Sequence, residues 1–274
     1  MFEEIYQEYL LHKNEENRKK RYDGKESWYH ASGAGFCSRK LYYQSVEKAK
    51  PTNPSKKANM RIMRMGTLIH KDFEEALIYY NNINNNNINK EYFNTVNIAE
   101  QSAKEFAVER IENIVTEEEI KLPEFNVRGF YDVLLQTSSA DNQKANRLYD
   151  VKTISNWGFR QKFKPTKGFS SENRNHFLQI GTYGLAVKEK YGSLDSMGII
   201  YYNKDNSSMH SQSVPMKYLD TARRYWFSIK EEHDKGLPPF QLGVSPAYFW
   251  CCEKYCEFKD HCNPPNFKRN KEIR

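Results

Sequence analysis

Two runs of alternating character constrain this chain more than any other feature. FNVRGFYDVLLQ (residues 125–136) and NRLYDVKTI (146–154) are separated by the polar stretch TSSADNQKA. Aromatic and branched residues recur at every second position, and a turn-rich segment joins the runs. This pattern predicts two strands paired as a hairpin or nearly so. Side chains in a strand alternate between faces, so Asp150 and Lys152 point the same way. The hairpin can bring Asp132 beside them. Two carboxylates and a lysine on one face repel and attract at close quarters. The arrangement is costly unless a hard cation sits among them.

That cation would supply a chemistry. Hydrolysis of a phosphodiester needs a nucleophilic water near neutral pH and relief of charge in the transition state, and a metal on Asp132 and Asp150 provides both. Lys152 can position the water or stabilise developing negative charge. The Val151 carbonyl is a further candidate ligand. A D-x-K triplet also occurs by chance on solvated strands, so its neighbours matter. His70 follows the turn-like GT of GTLIHKDFEEAL on a helix. It is either a core or surface histidine or a third ligand, since neutral imidazole binds transition metals. Glu74, one turn on, either supports the imidazole or is solvated. Gln179 and Tyr183 are an i, i+4 pair, either a half-buried polar contact or a pair reaching a phosphate or base.

Around this hairpin, periodicity predicts helices over 1–22, 38–48, 58–80, 102–115, 172–191 and 216–235, with strands over 197–203 and 209–214. NNINNNNINK (81–90) reads as a surface loop without chemistry, and 157–170 as a basic loop. Helix, strand, strand, helix, strand is the order of an α/β core with a mixed sheet. KFKPTKGF and RRYWF interleave aromatics with basic residues, which suits either base stacking or ordinary packing.

The 274 residues carry a net charge of +7, a balance that favours a polyanionic partner without proving one. No run approaches the ~18 apolar residues of a membrane span, and the N-terminus is too polar for a secretory signal. A cytoplasmic setting is expected by default. In that reducing compartment the five cysteines, Cys37, Cys251, Cys252, Cys256 and Cys262, suggest metal or cluster ligation rather than disulfides.

Taken in order, GTLIH, VRGFYD, YDVKT and QIGTY resemble the RecB-like PD-(D/E)xK nucleases over about residues 28–264. The resemblance implies a restriction-endonuclease-like core with a mixed central sheet flanked by helices. It implies that His70, Asp132 and Asp150 bind the metal, Mg²⁺ or Mn²⁺. Lys152 would be catalytic, and Gln179 and Tyr183 would support the site and the DNA strand. The cysteine bracket resembles the iron–sulphur branch, the CRISPR-associated single-chain exonucleases and the AddB nuclease domain. There, one early and three late cysteines hold a [4Fe–4S] cluster formed by N- and C-terminal segments. Cys37, Cys256 and Cys262 map directly, and Cys252 is the expected fourth ligand. Its spacing to Cys256 is one residue longer than usual, and Cys251 is the other option. A structural Zn²⁺ suits four thiolates as well.

The resulting expectation is one nuclease domain over 1–274, with an N-terminal helix in 1–27 and a cysteine-rich region over 238–274. It would be a metal-dependent DNA exonuclease acting on single strands or duplex ends, in recombination, repair or CRISPR adaptation and with protein partners from such a complex. The alternative is a non-catalytic nucleic-acid-binding subunit, against which intact Asp132, Asp150 and Lys152 argue.

Overall fold

The computed structural model describes residues 2–22, 28–53, 57–85, 110–139, 141–163, 173–235, 252 and 256–262. The fold is α/β, with a mixed sheet flanked by helices. It divides into two compact units. The first comprises Met1–Arg64, Lys121–Arg128 and Arg224–Arg274, and the second Met65–Ile120 and Gly129–Arg223.

The second unit is built on β2 (Arg110–Leu122), β3 (Val127–Ser138), β4 (Lys144–Ile154), β5 (Ser196–Asn203) and β6 (Met209–Val214). β3 also pairs with β2 and runs antiparallel to β4. β4 is parallel to β5, and β5 antiparallel to β6. The parallel step requires a crossover, which α4 (Asn156–Phe163) and α5 (Arg174–Tyr191) supply. Leu134, Leu148 and Ile199 come from three adjacent strands and are fully buried, as are Leu178 and Ile180 of α5. Each such side chain contributes about 1.5–3 kcal/mol by leaving water.

α5 begins at Asn173, whose side chain accepts the His176 N–H, and ends at Gly192 in the left-handed region (φ 79°). Every residue from Phe177 to Val187 is buried, so this is an interior helix. Its glycines permit that depth. A Cβ on Gly181 would stand 2.4 Å from the Tyr218 carbonyl oxygen at the start of α6 (Lys217–Asp234). A Cβ on Gly184 would meet Leu219, Met197 and Leu194 within 3 Å.

The first unit holds α1 (Phe2–Tyr22), β1 (Tyr29–His30), α2 (Ser38–Ser45), the start of α3 (Lys57–Asn85), the end of α6 and α7 (Lys259–Cys262). β1 pairs in parallel with Val127 and Arg128 at the head of β3. Tyr29 and Trp226 form the aromatic core, with ring centroids 6.0 Å apart, and the Tyr29 hydroxyl lies 3.3 Å from His233 Nδ1. Trp226 of the RRYWF run is therefore a core residue here, whereas Phe227 is exposed.

Four local expectations change. The helix expected over 102–115 lies partly outside the described residues, and 110–115 belong to β2. The β-branched Ile111, Ile114 and Val115 suit a strand, and Asn113 and Ile114 are tied to Asn81 and Gln136. The asparagine run is not all loop, because residues 81–85 continue α3. Asn81 accepts the Ile114 N–H at 3.2 Å and so docks the helix on β2. Residues 157–163 of the expected basic loop belong to α4, with Phe159 buried. Gly66 and Thr67 make no turn either, as they lie inside α3.

Candidate active site

The centre lies in the second unit, where the hairpin, α3 and α5 meet. Register pairs Val133 with Tyr149, which sets Asp132 across from Asp150 on the same face. Asp132 Oδ2 accepts the Val151 N–H at 2.6 Å. Val151 itself is buried in β4. Asp150 is 1% exposed. Its Oδ1 accepts from Gln179 Nε2 at 3.2 Å, and its Oδ2 lies 2.6 Å from Lys152 Nζ. That second contact is an ion pair by distance. It is not aligned as a directed hydrogen bond, so Oδ2 retains acceptor capacity.

α3 brings the imidazole. A Cβ on Gly66 would stand 2.9 Å from Thr153 Oγ1, so glycine lets this helix approach β4 closely. About one turn later His70 Nδ1 lies 3.8 Å from Asp132 Oδ2. From the other side, α5 contributes Gln179, which donates to Asp150 and also to the Tyr183 hydroxyl oxygen at 2.9 Å. Both are buried, so in this structure the pair braces the carboxylate. Tyr183 keeps its proton, because burial and then Asp150 raise its pKa well above the ordinary value.

Burial pushes both carboxyls up, each to about 6, against the downward pull of Lys152. The neighbouring Asp132 charge adds to the rise at Asp150. His70 moves down, by burial first and then by Lys152, which keeps the imidazole neutral and able to ligate.

Two hard carboxylate oxygens, one of them buried without a directed hydrogen bond, and a neutral imidazole suit a divalent cation. Among the described residues no three of His, Cys, Asp and Glu stand as a ready-made ligand shell. At Asp150 the Lys152 ammonium sits against Oδ2 and would have to give way to a metal.

The sequence reading missed Glu117. It sits in β2 with a left-handed backbone (φ 48°). Although Glu117 is exposed as a residue, its carboxyl is pushed up, by desolvation first and then by Glu74 and Asp150. Its charge in turn raises Asp132. The acid run TEEEI gave no sign of which glutamate turns inward. His176 and Tyr201, near the same centre, were missed as well, whereas Lys162 opens the KFKPTKGF run already singled out.

The described cysteines, Cys37, Cys252, Cys256 and Cys262, belong to the first unit, and none of them is in a disulfide. Cys251 lies outside the described residues. Cys37 precedes α2, and Tyr43 of α2 packs on Phe258 and His261 and donates to the His261 carbonyl at 3.0 Å. Asn53 Nδ2 donates to the Cys256 carbonyl at 3.2 Å. The early and late cysteine segments are thus stitched together. Among the described residues, their thiols do not converge as a group of three.

No family model and no curated protein matches the chain. Among solved structures it is similar in outline to SSO0001, at 16% identity and a TM-score of 0.46, over 97% of this chain and 98% of that one. It is similar also to an alkaline exonuclease (LHK-Exo) from Laribacter hongkongensis. That likeness has 11% identity and a TM-score of 0.44, over 80% of this chain and 93% of that one. Likeness at this level does not extend from outline to activity.

Proposed function

We propose that this chain is a metal-dependent DNA nuclease of the PD-(D/E)xK type. One observation carries the reading: Asp132 and Asp150 face each other on a hairpin with Lys152 against Asp150, Asp150 buried and the other two half-buried. Two carboxylates at this depth without a cation are unfavourable, and both carboxyls are pushed up, by burial first. A divalent cation removes it. Asp132, Asp150 and His70 would hold the ion, with the Val151 carbonyl as a further ligand. When bound, Mg²⁺ or Mn²⁺ would activate a water and neutralise phosphate charge.

The chain's own groups do the rest. Gln179 fixes the orientation of the Asp150 carboxylate by donating to Oδ1. Val151 fixes Asp132 by donating to Oδ2. Lys152, displaced from Oδ2, stands beside the reacting phosphate and stabilises charge there. A single strand or a duplex end is the proposed substrate, and the four cysteines are the proposed holders of a [4Fe–4S] cluster or a structural Zn²⁺.

The test is digestion of labelled single- and double-stranded DNA with Mg²⁺, Mn²⁺ or excess EDTA. Cleavage with either metal and none in EDTA is expected. Cleavage that persists in EDTA removes the metal mechanism. Binding without cleavage in any metal leaves a nucleic-acid-binding subunit.

A further inference from the structure

We propose that four side-chain amides, Asn81, Asn113, Gln136 and Asn146, form one bracing row across the sheet, which ties α3 to the end of α5 and so sets His70 against Asp132. They are positioning residues, and their effect on metal binding rests on the nuclease reading above.

The row runs head to tail. Asn81 Nδ2 of α3 donates to Asn113 Oδ1 of β2 at 3.4 Å, and Asn113 Nδ2 to Gln136 Oε1 of β3 at 3.0 Å. Gln136 Nε2 donates to Asn146 Oδ1 of β4 at 3.2 Å, where register pairs the same two residues. Asn146 Nδ2 donates to the Ser193 carbonyl at 3.2 Å, just past the end of α5 at Tyr191. Backbone groups pin both ends. Asn81 Oδ1 accepts the Ile114 N–H at 3.2 Å, and the Ser193 carbonyl can only accept. Turning any one amide over sets oxygen against oxygen or nitrogen against nitrogen, so the row has a single direction. Amide bonds of one polarity strengthen one another.

α3 crosses the catalytic face obliquely. It meets β4 where Gly66 packs on Thr153, β3 where His70 Nδ1 lies 3.8 Å from Asp132 Oδ2, and β2 where Asn81 binds Ile114. His70 and Asn81 are about three whole turns apart, so both lie on the sheet side. The helix is a beam on two supports, close packing at Gly66 and the amide at Asn81. At ~1.5 Å per residue, His70 stands ~6 Å from the first support and ~16 Å from the second. If the Asn81 end rose by ~1.5 Å, rocking about Gly66 would move His70 by ~0.4 Å, against a tolerance of ~0.2 Å in metal–ligand distances. At the other end of the row, Asp195 Oδ2 reinforces the tie by accepting the Asn146 N–H at 2.7 Å. The helix held there carries Gln179, the donor to Asp150. Gln136 shares a strand face with Asp132, and Asn146 with Asp150, ~13 Å along. The row thus stands outside the acidic centre while tying together the helices that serve it. Its amides do not titrate, so the brace is the same at every pH at which the carboxyls change charge.

The experiment measures Mn²⁺ affinity of the full chain by calorimetry, and hydrogen exchange of the Ile114 amide in metal-free protein. Gln136→Met keeps the length of the side chain and removes its amide. It should lower Mn²⁺ affinity about 5-fold, less than loss of the imidazole itself, at a near-normal melting temperature. Asn81→Ala should do the same. Gln136→Glu keeps the shape but sets a carboxylate oxygen against Asn146 Oδ1, so it should behave like Gln136→Met rather than like the wild type. In a His70→Ala background none of the three should lower affinity further, because the row acts through that imidazole. Ile114 exchange should quicken about 3-fold in Gln136→Met, although the altered side chain is two bonds of the row away. Wild-type Mn²⁺ affinity and Ile114 exchange in both Gln136→Met and Asn81→Ala would overturn the brace, with cleavage by the wild type untouched. A loss of affinity that adds in full to that of His70→Ala would overturn it too, by showing a route other than the imidazole. Faster Ile114 exchange in Gln136→Met, beside a wild type that binds no Mn²⁺ and cleaves nothing, would keep the brace and remove the nuclease.

Discussion

Asp132 Oδ2 accepts the backbone N–H of Val151 at 2.6 Å, one residue from the carboxylate it faces across the hairpin. The strand that carries Asp150 therefore also holds Asp132 in place. The site is a property of one strand pair, so small changes there have large and separable effects.

Metal affinity should depend on pH through the carboxyl pair. Both folded values are raised to about 6, above their ordinary 3.8. A raised acid contributes stability that is full below about 3.8 and is lost as pH rises through about 6. Asp150→Asn removes that loss, so its melting temperature should gain on the metal-free wild type as pH rises from 4 to 7. Metal binding competes with the same protons, and the apparent Mn²⁺ affinity of the wild type should climb through pH 6 and level off above it. His70 and His176 are lowered and work in the opposite sense, which is why the difference between variant and wild type is the quantity to follow. Calorimetric titration at several pH values reads it, and a flat Mn²⁺ affinity from pH 5 to 7.5 contradicts the coupling.

Lys152→Ala should lose at least about 100-fold in cleavage. DNA binding should largely survive, because it draws on many basic groups. Since the Lys152 ammonium sits against Asp150 Oδ2, its removal should leave metal affinity intact or higher. Single-turnover cleavage and metal titration on one preparation check both halves. Wild-type turnover would make the D-x-K pattern accidental.

His70→Ala should weaken metal affinity about 10-fold while lowering the melting temperature little. The side chain is 31% exposed, so no large cavity is left. Mn²⁺ should support activity at least as well as Mg²⁺ in the wild type, because imidazole favours the softer ion. An insoluble variant with normal residual activity would point to a packing role.

Gly181→Ala should cost roughly 1–3 kcal/mol, an overpacking penalty, because the added carbon meets a backbone carbonyl that cannot rotate away. Chemical denaturation measures the loss. Activity should fall beyond what stability explains, since α5 also sets the distance from Gln179 to Asp150. A variant as stable and active as the wild type would show that α5 and α6 separate easily.

Anaerobically purified protein should contain iron and absorb in the visible. Cys37→Ala, Cys256→Ala, Cys262→Ala and Cys252→Ala should each lose the colour and melt earlier, because ligation energy becomes folding energy only when distant segments meet. Zinc without iron would leave a structural staple. A colourless Cys251→Ala beside a coloured Cys252→Ala would exchange the two assignments.

The hairpin was legible because its period of two is written in the residues themselves, and Asp132, Asp150 and Lys152 follow from it. The helix carrying Gln179 was legible too, expected over 172–191 and found over Arg174–Tyr191. Residues 110–115 were not. Apolar residues at 111, 114 and 115 stand at i, i+3 and i+4, a helical spacing, although the segment forms a strand. Glu117 was hidden because a left-handed residue in mid-strand leaves no mark when it is not glycine. Gly66 looked like a turn, whereas its role is a close approach to Thr153 that only the neighbouring strand reveals. Asn81, Asn113, Gln136 and Asn146 come from four elements, and no spacing along the chain announces their meeting.

The antiparallel register of β3 and β4 has a consequence for biosynthesis. The same pairing that buries Leu134 and Leu148 sets Asp132 against Asp150. A slip of one residue would turn Asp132 to the opposite face, where Val127, Tyr131 and Val133 are buried, and would disrupt the packing of both faces. A nascent or misfolded chain with near-native secondary structure thus carries no assembled acid pair. The proposed cation site would therefore exist only once the two strands are in register.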